Sequence, residues 1–441
     1  MNRLNVLYLH THDLGRYCEP YGYAIPSPNL QKLAERGVLF RQAFNAAPTC
    51  SPSRAGLLSG QWTHCNGMFG LTGQGWTLND YGQHLAHFMK AQGYETVMAG
   101  ANHVAPRTGK DRKQTVENMG ELLGYDRVLR APADPAPADR EVWTAQAAAE
   151  FLESDHEKPF FLAVGFVTPH RYNPGDRNTF SRRWPTEPPG VDDRYCLPMP
   201  HMIDNKTTRR EMANFKMGVA VMDQLFGTVL EGLERSGHKD DTLVICTTDH
   251  GPGAPDMKCT LSDRGTGVML VFAGPGEFGG GRVTDALVSH IDIYPTLCEL
   301  LGAEPPDWLQ GKSLMPLFQG AAESVNACVF MEHNYHGDFR PQRAVRTERY
   351  KYIRRFKTGV GVGVDGGPVD EMMRAYGWAQ RPQPEEELHD FVYDPHEAAN
   401  VIDDPQYAQT AAELRKRLED WMAATDDPVR HNAVPAPPPV P

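Results

Sequence analysis

A chain of 441 residues, 40% hydrophobic and 23% charged, has the balance of a globular protein and the length for one large core plus a smaller companion. Its net charge of −12 is spread along the chain, which argues against a general nucleic-acid or membrane-surface binder; an anionic substrate would need a local cationic pocket. No apolar run reaches transmembrane length, no secretory leader precedes the first strand-like segment, and the eight cysteines form no C-x-x-C pair, so a reduced cytoplasmic setting is expected.

In chain order, Leu4 to Leu9 is an apolar run that predicts a buried strand ending at His10-Thr11-His12-Asp13. Pro28 to Arg36 reads as a helix with Leu30, Leu33 and Ala34 on one face. A helix start is expected at Ala55-Gly56-Leu57-Leu58, after the Cys50 segment. Residues 79–92 read as a helix and Glu95 to Ala99 as a strand. Residues 140–154 are expected to be helical and Phe160 to Phe166 a central strand. A long helix covers about residues 208–236, followed by strands at Thr242 to Thr247 and Val268 to Phe272. Strands alternating with helices predict a mainly parallel sheet covered on both faces, with sites at the carboxyl ends of its strands. The clusters His12-Asp13, His170 and Asp249-His250 each follow an apolar strand, so three strand ends would deliver metal- and proton-handling groups to one edge.

Past about residue 325 the pattern changes. Ala344 to Thr347 and Tyr350 to Ile353 suggest antiparallel strands, followed by a Gly-rich loop from Gly359 to Gly367 and a helix from about Tyr407 to Ala423. The tail from Val434 to Pro441 is Pro-rich and expected to be extended. The expected division is 1–324 for a catalytic α/β domain and 325–441 for a smaller subdomain with an antiparallel sheet.

Cys50-Ser51-Pro52-Ser53-Arg54 precedes the expected helix, where helix amides and an arginine favour an anion. On its own this segment is either an activated thiolate or a buried turn. Cys50-x-Pro52-Ser53-Arg54 with Ala55 to Gly60, however, resembles the signature of the sulfatase family. The likeness extends to Pro28-Asn29-Leu30 with Leu33 to Phe40, to Asp241 to Gly251, and to Glu387 to Asp390 with Asp394 to Glu397 and Asn400. His64 to Met68, Pro169-His170-Arg171 and Met222-Asp223-Gln224 place the closest likeness with the heparan N-sulfatase (sulfamidase) branch.

The resemblance implies an alkaline-phosphatase-like α/β sandwich and one divalent metal ion. It also implies that a maturation enzyme oxidises Cys50 to formylglycine, whose hydrate attacks sulfur. Arg54 would hold the hydrate, and His103 would take the proton that lets sulfate leave. His170 would bind sulfate or protonate the leaving group, and Lys258 would place a cation on the sulfate. This chain has His12-Asp13 where the family usually has two aspartates, Asp249-His250 where it often has Asp-Asn, and Ala101 where it has a lysine. Imidazoles in place of oxygen ligands favour manganese first, zinc second and calcium less, held by His12, Asp13, Asp249 and His250. His10 is a further ligand or a partner of one. His64 is a candidate, His333 and His336 weak specificity candidates, and His290 and Asp292 structural.

The leading expectation is hydrolysis of a small sulfate ester or N-sulfate. Ala101 leaves room for a phosphonate monoester or phosphodiester, and a non-catalytic metal-binding protein is the reading from another class.

Overall fold

The structure, a computed structural model, describes residues 3–106, 119–130, 137–172, 179–180, 191–358 and 365–438. Most of the expected Gly-rich loop (359–364) and the end of the Pro-rich tail (439–441) lie outside the described residues.

The large sheet contains β1 (Asn5–Thr11), β2 (Val38–Phe40), β3 (Glu95–Gly100), β4 (Arg127–Leu129), β5 (Phe160–Gly165), β6 (Thr242–Thr248), β7 (Leu270–Ala273) and β8 (Arg282–Thr284). Their order is β8-β2-β7-β6-β1-β5-β3-β4. All run parallel except β7, which is antiparallel to β6 and β2. The link from β6 to β7 carries only the short helix Asp263–Thr266, not the long crossover helix that a parallel connection uses.

β1, β5 and β6 are buried along their whole length, as their near-continuous apolar runs require of strands covered on both faces. Side chains alternate between two cores. Leu7 and Leu9 face the core built with α1 (Pro28–Arg36), α4 (Pro137–Leu152) and α5 (Lys206–Ser236). Val6 and Tyr8 face the core built with α2 (Cys50–Ser59), α3 (Leu85–Ala91) and α6 (Ile293–Leu300).

Polar side chains fix helix starts. Asn205 caps α5 by accepting from the Thr207 and Thr208 amides. Asp223, inside α5, accepts from the Asn29 and Leu30 amides at 3.1 and 2.9 Å, placing a carboxylate at the N-terminus of α1. Two expected helices are corrected. α2 begins at Cys50 itself rather than at Ala55, because Pro52 is tolerated in a first turn although no apolar signal announces that turn. The helix over 79–92 is a 3₁₀ turn, Tyr81–Gln83, and then α3; His84 separates them and its Nδ1 accepts from the Ala86 amide.

β9 (Val329–Tyr335), β10 (Phe339–Arg346), β11 (Tyr350–Arg355) and β12 (Glu386–Asp390) form an antiparallel sheet in that order. α7 (Ala408–Ala424) covers it, with Leu414, Leu418 and Trp421 against Val345, Tyr352 and Leu388. Phe44 and Leu261 join Val329, Met331 and Ile353 in a shared apolar cluster, so the two sheets are not packed independently. No helix among the described residues is long and apolar enough to cross a membrane.

Candidate active site

Registers Thr11↔Thr248, His10↔Gly165 and Gly100↔Gly165 bring the carboxyl ends of β6, β1, β5 and β3 level with one another. The residues that follow those strands therefore gather at one edge. Asp13 and His103 both take left-handed backbone conformations, at φ 52° and 57°. The Asp13 turn is pinned by its amide donating to Asp249 Oδ1 at 2.9 Å. The His103 turn is pinned by Asn102 Oδ1, which accepts from the Val104 and Ala105 amides.

α2 supplies the other wall. Cys50 and Arg54 are one turn apart and share a face. Arg54 donates to the Thr11 carbonyl at 3.1 Å, to Asp249 Oδ2 at 3.2 Å and to His10 Nδ1. His10 is thus an acceptor that orients Arg54, with its ring stacked on Tyr8. No metal-type group among the described residues includes it. Burial and then Arg54 push its pKa well below the histidine range, so it is neutral and can accept.

The ligand atoms of His12, Asp13, Cys50 and Asp249 lie within 4.8 Å of one another, all buried. His12 Nδ1 is 2.9 Å from Asp249 Oδ2, yet neither ring nitrogen makes an aligned hydrogen bond, and Asp13 Oδ1 has no hydrogen-bond partner. His250 Nδ1 faces the Gly251 carbonyl at 2.8 Å, which directs Nε2 to Asp13 Oδ1 at 3.4 Å and to Cys50 Sγ at 3.4 Å. Unpartnered buried polar atoms are costly, and a His12 ring nitrogen and Asp13 Oδ1 beside Asp249 fit a divalent cation; His250, like His10, is in none of the close groups among the described residues, but its Nε2 lies 3.4 Å from Asp13 Oδ1, on the edge of the set. Electrostatics agree with such a donor set. Burial and then Arg54 keep His12 neutral. Burial would raise Asp249, but His250, His12 and Arg54 outweigh it and its carboxyl lies well below the usual range. Burial pushes the Cys50 thiol well up, with Lys258 opposing and Asp249 and Asp13 reinforcing the rise, so the unmodified thiol would hold its proton.

A second group, Asp13, His170 and Asp365, also lies within 4.8 Å. Its centre already holds a cation, the buried Lys258 Nζ, at 3.3 Å from Asp13 Oδ2, 3.4 Å from His170 Nε2 and 2.7 Å from Asp365 Oδ2. Burial would lower Lys258, but Asp13 and Asp365 hold its pKa well above the lysine range. His103, half-buried, meets His12 edge-on at 4.5 Å between ring centroids, and one of its nitrogens lies within 4.8 Å of the Cys50 sulfur. The structure therefore brings together Cys50, Arg54, His103, His170 and Lys258 around the four metal-type residues.

Sequence reasoning missed Asp365. It sits 107 positions beyond Lys258 in a glycine-flanked stretch with no motif to mark it. His336 approaches the same carboxylate at 3.9 Å, while His333 is buried nearby on β9 with neither ring nitrogen hydrogen-bonded. His64 is elsewhere, bonded to Glu332. His290 meets Thr247 Oγ1, and Asp292 accepts from Ser289, Lys312 and Asn326, which are structural contacts.

Gly165 leaves the space that the His10 ring occupies. A Cβ there would lie 2.1 Å from the Ala101 carbonyl and 2.4 Å from His10 Cε1. Gly165→Ala is therefore expected to destabilise the protein by about 2 kcal/mol or more and to lower kcat by displacing Arg54. Urea midpoints and turnover measured side by side check this; an unchanged kcat would contradict the His10–Arg54 link.

A model of the sulfatase family matches residues 5–303, and a model described as N-sulphoglucosamine sulphohydrolase, C-terminal, matches 258–361. Human N-sulphoglucosamine sulphohydrolase is 30% identical, over 96% of this chain and 91% of its own. A putative sulfatase from Bacteroides thetaiotaomicron shares the fold with a TM-score of 0.73 at 24% identity, covering 99% of this chain and 96% of the other. The phosphonate monoester hydrolase of Agrobacterium radiobacter does so at 0.69 and 22%, covering 96% of each. The chain belongs to the sulfatase family, the hydrolases of sulfate esters and N-sulfates.

Proposed function

We propose that this protein is a formylglycine-dependent, divalent-metal-dependent hydrolase of a small sulfamate (N-sulfate) or sulfate ester, matured by an enzyme that oxidises Cys50. The observation that carries this reading is the convergence of Cys50 and Arg54, on one face of α2, with His12, Asp13 and Asp249 and the buried Lys258. His12, Asp13, Asp249 and His250 would hold the metal, manganese first and zinc second for a mixed nitrogen and oxygen set, and the metal would lower the pKa of a bound hydroxyl. Formylglycine at position 50 would supply a hydrated aldehyde in place of a neutral thiol.

The remaining roles belong to side chains of this chain. Arg54, oriented by His10, holds the nucleophile and offsets its charge. Lys258 binds an oxygen of the transferred group, a contact whose loss typically costs 10²- to 10³-fold in kcat. His170, whose Nε2 accepts from Lys258 at 3.4 Å and whose Nδ1 donates to the Arg171 carbonyl, binds the transferred group or, once Nε2 has taken up a proton, passes it to the departing nitrogen or oxygen. His103 takes the proton from position 50 that releases sulfate. Residues 1–324 carry the nucleophile and metal set, and 325–441 bring Asp365 and His336 to the pocket.

A second reading, phosphonate monoester or phosphodiester hydrolysis, draws on Ala101, whose place in the sequence lacks the family lysine, and on the fold shared with a phosphonate monoester hydrolase. The sulfamidase likeness, in both identity and C-terminal match, favours sulfur. Turnover of paired phenyl sulfamate, phenyl sulfate and phenyl phosphodiester substrates tests the choice. Sulfur substrates are expected to lead by at least about tenfold in kcat/KM, and a chelator is expected to remove activity that manganese restores. A lead for the phosphodiester would overturn the sulfur assignment; activity that survives complete metal removal would overturn the metal.

A further inference from the structure

Lys258 is the cation that the proposed function assigns to the transferred group, yet its ammonium is already engaged. Three donors face three partners: Asp13 Oδ2, His170 Nε2 and, at 2.7 Å, Asp365 Oδ2. Asp13 is needed by the metal-type set and is fully buried, whereas the Asp365 side chain is 14% exposed and also lies 3.9 Å from both His170 and His336. An anion that reaches Lys258 must therefore stand beside a carboxylate. Among the described residues near this point, Arg54, Lys258 and Arg171, the last paired with Glu211, stand beside the carboxylates of Asp13, Asp249 and Asp365.

We infer that Asp365 is a specificity-determining residue which tunes this pocket to singly charged groups and against doubly charged ones of the same shape. This rests on the reading of Lys258 as the anion-binding cation. Sulfate esters and sulfamates carry one negative charge, and phosphate monoesters above their second pKa, near 6, carry two. Repulsion by a fixed neighbouring carboxylate grows in proportion to ligand charge, so the dianion is penalised twice as strongly. Both groups are tetrahedral and of similar size, so steric fit does not separate them. The same repulsion weakens binding of released inorganic sulfate, itself a dianion, and so favours product departure.

The experiment compares phenyl sulfate with phenyl phosphate, near-isosteric probes that differ by one charge at pH 8. Dissociation constants are measured calorimetrically on the manganese-loaded full chain carrying Cys50→Ala, so that no turnover intervenes. With Asp365 intact, phenyl sulfate is expected to bind more tightly. Asp365→Asn is expected to tighten both ligands and the phosphate more, shrinking the ratio of the two constants by at least about tenfold. Asp365→Glu, which keeps the charge, is expected to retain most of the original ratio, and Asp365→Ser serves if the asparagine variant does not fold. A ratio unchanged within about twofold, whether both affinities rise or fall together, would overturn the inference and leave Asp365 as a structural partner of Lys258. Failure of the proposed function looks different: the protein with Cys50 intact would turn over neither sulfate nor sulfamate, while the binding ratio remains measurable.

Discussion

Cys50→Ala is expected to lower kcat/KM for an aryl sulfate or sulfamate by roughly 10⁴-fold or more, with little change in stability. The size follows from removing a nucleophile, whose loss in hydrolases leaves only binding and electrostatic contributions. The small structural effect follows from the site, where alanine loses one buried sulfur at a helix N-terminus and Arg54, His12 and Asp249 keep their other contacts. Protein from its own host is expected to carry an aldehyde at position 50, visible as loss of sulfur in peptide mass spectrometry and as labelling by a hydrazide. A thiol in a fully active preparation would sink the formylglycine assignment. It would also require a thiolate to form where burial and the carboxylates of Asp249, Asp13 and Asp365 oppose it.

Much of this site was legible because its chemistry is written at strand ends. His12-Asp13, His170 and Asp249-His250 follow β1, β5 and β6, and a parallel sheet brings such ends to one edge, whereas His103, after β3, was marked only by the resemblance to sulfatases. Cys50 and Arg54 were marked by the resemblance to sulfatases, and the helix that begins at Cys50 sets them one turn apart. The start of that helix was misplaced because its first turn, Cys50-Ser51-Pro52-Ser53, has no amphipathic pattern, and burial at a site rather than in a core explains its sequence. The direction of β7 was equally hidden. Its apolar residues fit either orientation, and only the short link from Thr248 betrays the reversal. Asp365 was out of reach for a different reason. Its place depends on long-range contacts with Lys258, His170 and His336, and a single carboxylate in a glycine-rich stretch has no periodicity to read. His10 was left between ligand and partner, a choice that depends on which way the Arg54 guanidinium turns, and spacing does not encode that.

The other large effect is expected far from the nucleophile. His64, just past α2, pairs with Glu332 on β9 at 2.9 Å; Arg343 on β10 binds Asp427 through two nitrogens and approaches Glu332 at 3.4 Å. All four side chains are almost fully buried. Glu332→Gln would leave His64 and Arg343 facing each other without the carboxylate between them, so a loss of about 3–5 kcal/mol is expected in urea unfolding. The pH dependence has a definite sign. Burial would lower His64, but Glu332 and Asp427 outweigh it and raise its pKa to about 10, against about 6.5 in an unfolded chain. The contribution is therefore complete below about pH 6.5 and is lost as pH rises toward 10, at up to about 1.4 kcal/mol per unit. Wild-type stability should fall across that window, and His64→Gln should flatten the fall; parallel curves from pH 7 to 10 would contradict a charged His64. The network also matters to the pocket. It fastens the segment after α2, which carries Cys50 and Arg54, to β9, which leads into His336 beside Asp365. Loosening it should therefore lower kcat in proportion to lost geometry even where the protein remains folded.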